Sequence, residues 1–311
     1  MAFLRAFGHY LPGRIVPNSE IAKLTGAEPE WIFKAAGIRE RRFADDSESV
    51  ESMGIAAARA CLVNAGVAAR EVGLILMASG SAPSKFPGPA SAVGSGLSIQ
   101  GVPAIDLPIA SAGSLFGLAL AAHLAPAYRN VLVIGSEIMS RVVRFHPETR
   151  DTAILFGDGA GAALVGSETG FARIVDSSLA SDGDFRNVLS LDSSGPLQMD
   201  GKTVILQASR KLPRVIGELL IRCRVAPADV QVFLMHQANR NLTTRVAQSL
   251  GVSDSRFFTN LQDYGNTSSA SMLIAAAEWR QQKTSPPNGP IVFAAFGAGL
   301  HWGALLAQLS G

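Results

Sequence analysis

A repeat about half the chain apart is the feature of this 311-residue sequence that most constrains its fold. Residues 69–77 read Ala-Arg-Glu-Val-Gly-Leu-Ile-Leu-Met, and residues 227–235 read Pro-Ala-Asp-Val-Gln-Val-Phe-Leu-Met. Each copy has an acidic residue, then a valine, then an apolar run that is typical of a short buried strand. The repeat therefore predicts two related halves, each with its own copy of this strand.

A second pair of similar segments supports the duplication. Residues 110–122 and 267–279 both begin with small polar residues and continue as an alanine-rich stretch that predicts a helix. Each half alternates helices with short buried strands, the pattern of βαβ units on a parallel or mixed sheet. We predict an α/β protein with halves at 1–175 and 176–311. The less regular stretch 176–201 is expected to be a surface linker between them.

Composition narrows the functional classes. The hydrophobic fraction of 48% and the 31 glycines suit a layered α/β protein with close backbone approaches. The formal net charge of +2 argues against nucleic-acid binding, although it is compatible with a small basic patch for an acidic carrier or a phosphorylated cofactor. The two cysteines form no framework, which favours a reducing compartment. We find no signal peptide, no membrane-spanning run and no metal motif, so we expect a cytoplasmic protein without a membrane segment or metal site.

Two polar motifs follow predicted strands in the second half. His236 comes directly after the apolar run 232–235 and before a helix predicted to begin near Asn239. Asn266, in Tyr-Gly-Asn-Thr-Ser, precedes an alanine-rich helix. Since both side chains lie at strand-to-helix junctions, we expect two hydrogen-bond donors aimed at one carbonyl. The alternative for His236 is a core histidine that is bonded only to backbone groups.

These motifs, in their order and spacing, resemble the β-ketoacyl-acyl carrier protein synthase III family of the thiolase superfamily. The other strings that carry the resemblance are Gly37-Ile-Arg-Glu-Arg-Arg42, Phe86-Pro87, Phe156-Gly-Asp-Gly-Ala-Gly161 and Phe296-Gly-Ala-Gly-Leu-His-Trp-Gly303. The resemblance covers nearly the whole chain. For the stretch 176–201 it implies an alternative to a linker, a loop that covers the acyl pocket and the pantetheine tunnel. It implies a duplicated, layered αβαβα fold and a homodimeric enzyme of fatty acid or polyketide biosynthesis. It also implies an acyl-coenzyme A substrate, an acyl carrier protein partner and no tightly bound cofactor.

Ser111 stands where this family has its nucleophilic cysteine, in the context Ile-Asp-Leu-Pro-Ile-Ala-Ser-Ala-Gly. Three interpretations stay open: a helix cap, an acyl-accepting serine, and a serine engineered in place of cysteine. An attacking hydroxyl needs a base, and His236 is the only histidine in a suitable motif. Cys61 and Cys223 lie in predicted helices and are expected to be buried small side chains.

The resemblance also implies further roles for particular residues. His236 and Asn266 would hydrogen-bond the thioester carbonyl of malonyl-carrier protein and stabilise the enolate that forms as carbon dioxide leaves. The remaining roles are an oxyanion hole from the backbone N–H groups of Ser111 and Ala298, coenzyme A contacts from Trp31, Arg150 and Asn239, and an acyl pocket with Phe156 and with Phe86 reaching across the dimer. Basic residues that the family often has are replaced by Ala35, Asn241, Gln248 and Ser249.

We therefore expect an acyltransferase that loads Ser111 from acyl-coenzyme A and condenses the acyl group with a malonyl thioester. Two alternatives remain. One is acyl transfer to an alcohol or amine in secondary metabolism, and the other is a non-catalytic partner subunit of an active homologue. His236, Asn266 and the glycine-rich loop argue against the subunit, because a structural subunit does not need them.

Overall fold

A mixed nine-stranded sheet forms the frame of the protein. The structure, a computed structural model, describes residues 1–84, 86–192, 195–282 and 289–309. The strands are β1 (Ala2–Tyr10), β2 (Arg14–Pro17), β3 (Glu40–Phe43), β4 (Leu74–Ala78), β5 (Ala104–Leu107), β6 (Asn130–Ile138), β7 (Asp158–Gly166), β8 (Ala172–Ser181), β9 (Leu189–Ser190), β10 (Gln198–Met199), β11 (Val232–Met235), β12 (Ile291–Gly297) and β13 (His301–Leu309). The α-helices are α1 (Asn18–Thr25), α2 (Pro29–Ala36), α3 (Val50–Ala65), α4 (Pro89–Gly96), α5 (Gly113–Tyr128), α6 (Arg150–Ala153), α7 (Gly201–Arg222), α8 (Arg240–Leu250), α9 (Leu261–Tyr264) and α10 (Ser271–Gln281).

The large sheet has the order β11-β12-β13-β8-β1-β7-β6-β4-β5 and repeats one topology. In the first half β4 is parallel to β6, β6 is antiparallel to β7, and β7 is antiparallel to β1. In the second half β11 is parallel to β12, β12 is antiparallel to β13, and β13 is antiparallel to β8. The repeated apolar runs are β4 and β11, which occupy matching places, as predicted.

The edge strand β5 also has a reduced counterpart. It pairs in parallel with β4, and in the second half a single parallel bridge joins Phe233 of β11 to Phe257. The predicted boundary at 175 falls within β8. The expectation of an irregular stretch from residue 176 is therefore wrong for its first residues, because they are paired with β13 and β8 runs to Ser181.

Helices cover both faces of the sheet and fill the space between its halves. α3 packs on β1, β6 and β7, and α7 packs on β8, β12 and β13. α5 and α10 lie between, in one core with side chains from both halves of the sheet. In β6, Leu132 packs on the α3 side of the sheet and Val133 packs on the α5 side. Because both faces of such a strand are buried, its sequence is a continuous apolar run. The layers are αβαβα.

The described helices include none whose length and apolar character would let it cross a membrane. Over the same residues, no cluster of His, Cys, Asp and Glu side chains is arranged to hold a metal ion.

Candidate active site

Ser111 lies in the tight turn between β5 and α5. Its φ of 64° is in the left-handed region, which is costly for any residue with a Cβ, and its side chain is buried. The N-cap of α5 is Ala112, and no side chain caps that helix. The interpretation of Ser111 as a helix cap is therefore wrong. Strain of this kind persists where surrounding contacts hold the backbone in place.

The end of β12 supplies that support. A Cβ at Gly297 would lie 2.1 Å from the carbonyl oxygen of Ala110, 2.7 Å from the backbone nitrogen of Ala112 and 3.0 Å from Cβ of Ser111. Only glycine allows β12 to approach the turn so closely. Next to it, Ala298 borders a cavity of about 1110 Å³ together with Ala110.

His236 follows β11 directly, as predicted, and is buried. Its backbone N–H donates to the carbonyl of Ala294 in β12 at 2.9 Å, and its Nδ1 lies 2.6 Å from the hydroxyl oxygen of Ser271. Burial lowers the pKa of His236 to about 4, and a hydrogen bond with the backbone of Ser268 opposes this shift. The imidazole is therefore neutral near neutral pH.

Asn266 is held by its backbone on both sides. Its N–H donates to the carbonyl of Leu155 at 2.8 Å, and its carbonyl accepts the N–H of Gly157 at 3.1 Å. Its side-chain Oδ1 accepts the N–H of Ser268 at 2.9 Å. The amide NH₂ has no hydrogen-bond partner among the described residues, so it is the end of the side chain left for a substrate.

Ser268 brings the three motif residues together, and the sequence motifs did not single it out. Its hydroxyl accepts the backbone N–H of Ser111 at 3.0 Å, its own N–H donates to Asn266, and its backbone is hydrogen-bonded to the ring of His236. It has a φ of 46° and opens the turn before α10. The serine-rich string that follows Asn266 was the only local signal. The N–H predicted for the oxyanion hole at Ser111 is thus occupied within the protein by this hydroxyl.

A second residue that sequence analysis missed is Glu137, at the end of β6. Its carboxylate is fully buried and accepts hydrogen bonds from Ser79, Gly80 and Ser81 after β4, and from Ser269 beside Ser268. The shortest are from the hydroxyls of Ser81, at 2.5 Å, and Ser269, at 2.7 Å. Charge-assisted bonds of this kind are the stronger class. Glu137 therefore ties the end of β4 to the turn that carries Ser268.

The cavity beside the site is lined by the segment 79–84 that follows β4, by Val142 and Val143, and by Leu191. Phe156 is buried against Val143 behind this wall. Ser111, His236 and Asn266 are nearly covered, with 6%, 5% and 6% of their surfaces exposed. The cavity therefore reaches the turn of Ser111 through its neighbouring backbone.

Trp31 and Arg150 lie together at the surface. The guanidinium carbon of Arg150, at the start of α6, is 5.3 Å from the ring centroid of Trp31 in α2. Asn239 caps α8 by accepting the N–H of Asn241 at 2.8 Å, and it donates to the carbonyl of Ala35 in α2 at 3.1 Å. Its side chain thus joins α8 to the helix that carries Trp31.

Phe86 is 88% exposed, which is unusual for a phenylalanine. Ile105, in the edge strand β5, is also exposed.

The two cysteines differ from each other in burial. Cys61 is fully buried, as predicted, and burial raises its pKa to about 12. Cys223 is only partly buried, and desolvation is the main cause of its raised pKa.

Comparison with known proteins shows the family of this chain. Residues 105–183 match the family model for 3-oxoacyl-[acyl-carrier-protein (ACP)] synthase III, and residues 220–309 match the model for its C-terminal part. The chain is 37% identical to a β-ketoacyl-[acyl-carrier-protein] synthase III of Roseobacter denitrificans, over 99% of this chain and 98% of that protein.

Solved structures of this family are also similar to the chain over nearly its whole length. The 3-oxoacyl-[acyl-carrier-protein] synthase III of Aquifex aeolicus VF5 is 32% identical with a TM-score of 0.95, over 99% of this chain and 100% of that one. A priming β-ketosynthase from the R1128 polyketide biosynthetic pathway is 31% identical with a TM-score of 0.93, over 99% of this chain and 96% of that one. The chain belongs to the β-ketoacyl-[acyl-carrier-protein] synthase III family.

Proposed function

We propose that this protein transfers an acyl group from a coenzyme A thioester to Ser111 and condenses it with a malonyl group held on acyl carrier protein. The observation that carries the proposal is the convergence of Ser111, His236 and Asn266 around Ser268. The names of the relatives, which are β-ketoacyl-[acyl-carrier-protein] synthases III, support the same reaction class.

The first half-reaction loads the serine. The Ser111 oxygen bonds to the acyl carbon, the carbon–sulfur bond breaks, and the hydroxyl proton ends on the departing thiolate to give free coenzyme A. The backbone N–H groups of Ser111 and Ala298 are proposed to hold the acyl oxygen, which requires the Ser268 hydroxyl to give up its bond to Ser111.

The second half-reaction makes the carbon–carbon bond. The malonyl carboxylate leaves as carbon dioxide, and its bonding electrons form an enolate whose oxygen is held by His236 and the amide of Asn266. The enolate carbon attacks the acyl-serine carbonyl, the Ser111 oxygen leaves and takes up a proton, and a 3-oxoacyl thioester results. Asn266 is a neutral amide with its NH₂ unpaired among the described residues, which suits an enolate oxygen better than a carboxylate would.

The remaining assignments complete the proposal. Trp31 and Arg150 clasp the adenine of coenzyme A by stacking and cation–π contact, and Asn239 lies beside the pantetheine path. No tightly bound cofactor is required. We propose a homodimer in the cytoplasm, in which Phe86 of one subunit closes the acyl pocket of the other, with Phe156 behind the pocket wall.

Intact-protein mass spectrometry tests the loading step. Incubation with a panel of short acyl-coenzyme A thioesters should add one acyl mass, and peptide mapping should place it on Ser111. Ser111→Ala should abolish the adduct. Ser114→Ala should keep it, because it alters a fully buried serine whose hydroxyl has no hydrogen-bond partner within the described part of the chain. A label on another residue, or none with any thioester, contradicts the proposal.

A condensation assay of Ser111→Cys tests whether the site is adapted to serine or is otherwise a cysteine site. Ser111→Cys introduces a nucleophile that ionises far more readily, at a pKa of about 8.5. If the site is otherwise a standard synthase site, condensation should increase. An unchanged rate would indicate that the surroundings of Ser111 are adapted to serine.

A further inference from the structure

The hairpin that joins β12 to β13 is held from two sides. It consists of Ala298, Gly299 and Leu300. On the α5 side, the preceding Gly297 lies against the turn of Ser111. On the opposite face, Leu300 is fully buried in the core beneath α7. The position of Ala298, whose N–H is proposed to hold the acyl oxygen, therefore depends on contacts from both sides.

Asp182 pairs with the end of this hairpin through its backbone. Its N–H donates to the carbonyl of Leu300 at 2.8 Å, and its carbonyl accepts the N–H of Leu300 at 3.0 Å. These bonds extend the pairing of β8 with β13, in which Ser181 lies opposite His301. A displacement of Asp182 would therefore move Leu300, which lies two residues after Ala298.

Lys211 of α7 fixes the side chain of Asp182. Its Nζ lies 2.9 Å from Oδ2 of Asp182, and the two side chains are 20% and 26% exposed. The same Nζ is 4.0 Å from the ring centroid of Trp302 and 5.7 Å from that of Phe185. A cation that is partly shielded from water interacts more strongly with such ring faces. Within the described part of the chain, no second cation forms an ion pair with Asp182.

We propose that Lys211 is a positioning residue for the oxyanion hole, because it anchors Asp182 and, through Asp182, the hairpin that presents the N–H of Ala298. The inference rests on the proposed function, in which this N–H holds the acyl oxygen during the loading step. The decarboxylation step of that function does not use this N–H. Loss of Lys211 should therefore slow acyl transfer and spare decarboxylation.

Amide hydrogen exchange tests the anchor without any assay of activity. Lys211→Met keeps a side chain of similar length and removes the charge. The N–H groups of Asp182 and Leu300 should then exchange about 5- to 30-fold faster than in the wild type, as measured by mass spectrometry on the peptides that contain them. Arg214→Met is the matched control and should leave this exchange unchanged, because Arg214 pairs with Glu218 on the same helix and both side chains are largely exposed. Equal exchange in Lys211→Met and the wild type overturns the proposal.

The kinetics of loading test the consequence. With a short acyl-coenzyme A, Lys211→Met should lower kcat for acylation of Ser111 by about 10- to 100-fold, since a misplacement of about 1 Å costs up to that factor. KM should change little, and malonyl decarboxylation by the same variant should stay within a few-fold of the wild-type rate. Lys211→Arg, which keeps a cation beside Asp182 and Trp302, should restore most of the acylation rate.

The other outcomes are also decisive. An equal loss of acylation and decarboxylation would show that Lys211 serves the fold alone, and full acylation in Lys211→Met would show that the hairpin keeps its place without this lysine. Either result overturns the proposal. If Lys211→Met does not fold, Asp182→Asn removes the charge of the partner and carries the same expected results. If the wild-type protein forms no adduct, the proposed function fails, whereas the exchange measurement still decides whether Lys211 anchors the hairpin.

Discussion

Asn266 has one end of its amide committed to the protein and the other end available to a substrate. Its oxygen accepts the N–H of Ser268, and its backbone is pinned on both sides to the segment that contains Phe156. A change that alters only the free end therefore tests its role without disturbing the turn.

We predict that Asn266→Asp loses malonyl decarboxylation by about 100- to 1,000-fold, the usual cost of removing one donor from an oxyanion site. The carboxylate keeps the acceptor for Ser268 but replaces the donor with a negative charge that faces the enolate. Carbon dioxide release from malonyl-carrier protein measures the effect. Acylation of Ser111 in the same variant is the internal control, and an equal loss of both activities would show that Asn266 serves the fold.

The lowered pKa of His236 makes the free energy of unfolding depend on pH. Burial lowers its pKa from the ordinary 6.5 to about 4, so between these values the unfolded chain binds a proton that the folded protein does not. The contribution of neutral His236 to the free energy of unfolding is therefore fully present above pH 6.5 and is lost as the pH falls toward 4. The full shift corresponds to roughly 3 kcal/mol at most.

We predict that the free energy of unfolding by denaturant declines between pH 6.5 and 4.5, and that His236→Gln removes part of this decline. Both proteins are measured at both pH values, so the other titrating groups cancel in the difference. A parallel decline in the two proteins would show that His236 does not have the lowered pKa.

At the scale of elements, the site depends on how closely β12 approaches the turn before α5. Gly297→Ala would place a methyl group within 2.1 Å of a backbone oxygen, so the strand or the turn must move. We predict destabilisation by about 1 to 3 kcal/mol, typical of overpacking, together with a loss of Ser111 acylation. Gly217→Ala in α7 is the control, because a Cβ there meets nothing within 4 Å and alanine favours a helix. Normal acylation in Gly297→Ala would show that the turn tolerates displacement.

The contact between α2 and α6 gives a separate test of substrate binding. We predict that Trp31→Ala raises KM for acyl-coenzyme A by roughly 2- to 30-fold, which corresponds to about 0.5 to 2 kcal/mol of stacking and cation–π energy. With an acyl thioester that lacks the adenine, Trp31→Ala and the wild type should have the same KM. Phe33→Ala is the matched control, since Phe33 lies on the same helix and makes a similar contact with another arginine. The guanidinium carbon of Arg39 is 5.2 Å from the ring centroid of Phe33. Equal KM values for Trp31→Ala and wild type would exclude an adenine clasp.

At the scale of the whole molecule, exposed apolar groups on the side of β5 require an explanation. Phe86 is 88% exposed and Ile105 lies exposed on an edge strand, which natural proteins normally cover. A second subunit that packs on this edge, as in the proposed homodimer, would cover these exposed groups.

We predict a dimer by sedimentation, and a longer acyl chain accepted by Phe86→Ala with Ser111 acylation intact. Val63→Ala, which truncates a 79% exposed residue on α3, is the control and should change neither property. A monomer, or an unchanged chain-length preference in Phe86→Ala, would show that Phe86 does not reach a partner.

Much of the architecture follows from local pattern. The apolar runs become β4 and β11, His236 follows β11 as predicted, and the same strand topology occurs in both halves. Asn266 precedes a helix as predicted, but it follows the short helix α9 and not a strand. These features depend on hydrophobic periodicity and turn chemistry over a few residues, which a sequence displays directly. The prediction of an irregular stretch from residue 176 was wrong for residues 176–181, because pairing with β13 made a strand of a segment whose polar composition had indicated a loop.

The contacts inside the site were decided only by the tertiary structure. Ser268 contacts Ser111, which is 157 residues away in the chain, and Glu137 accepts hydrogen bonds from the segment that follows β4 and from the turn before α10. Serine is a common residue, and residues 267–271 read Thr-Ser-Ser-Ala-Ser, so nothing in the local sequence distinguishes Ser268 from the other serines of this segment. The sequence by itself determined the apolar strands β4 and β11 and the position of His236 after β11. The packing of the two halves around α5 and α10 decided which hydroxyl faces which nitrogen, because hydrogen-bond partners depend on distances of a few tenths of an ångström that only the assembled layers set.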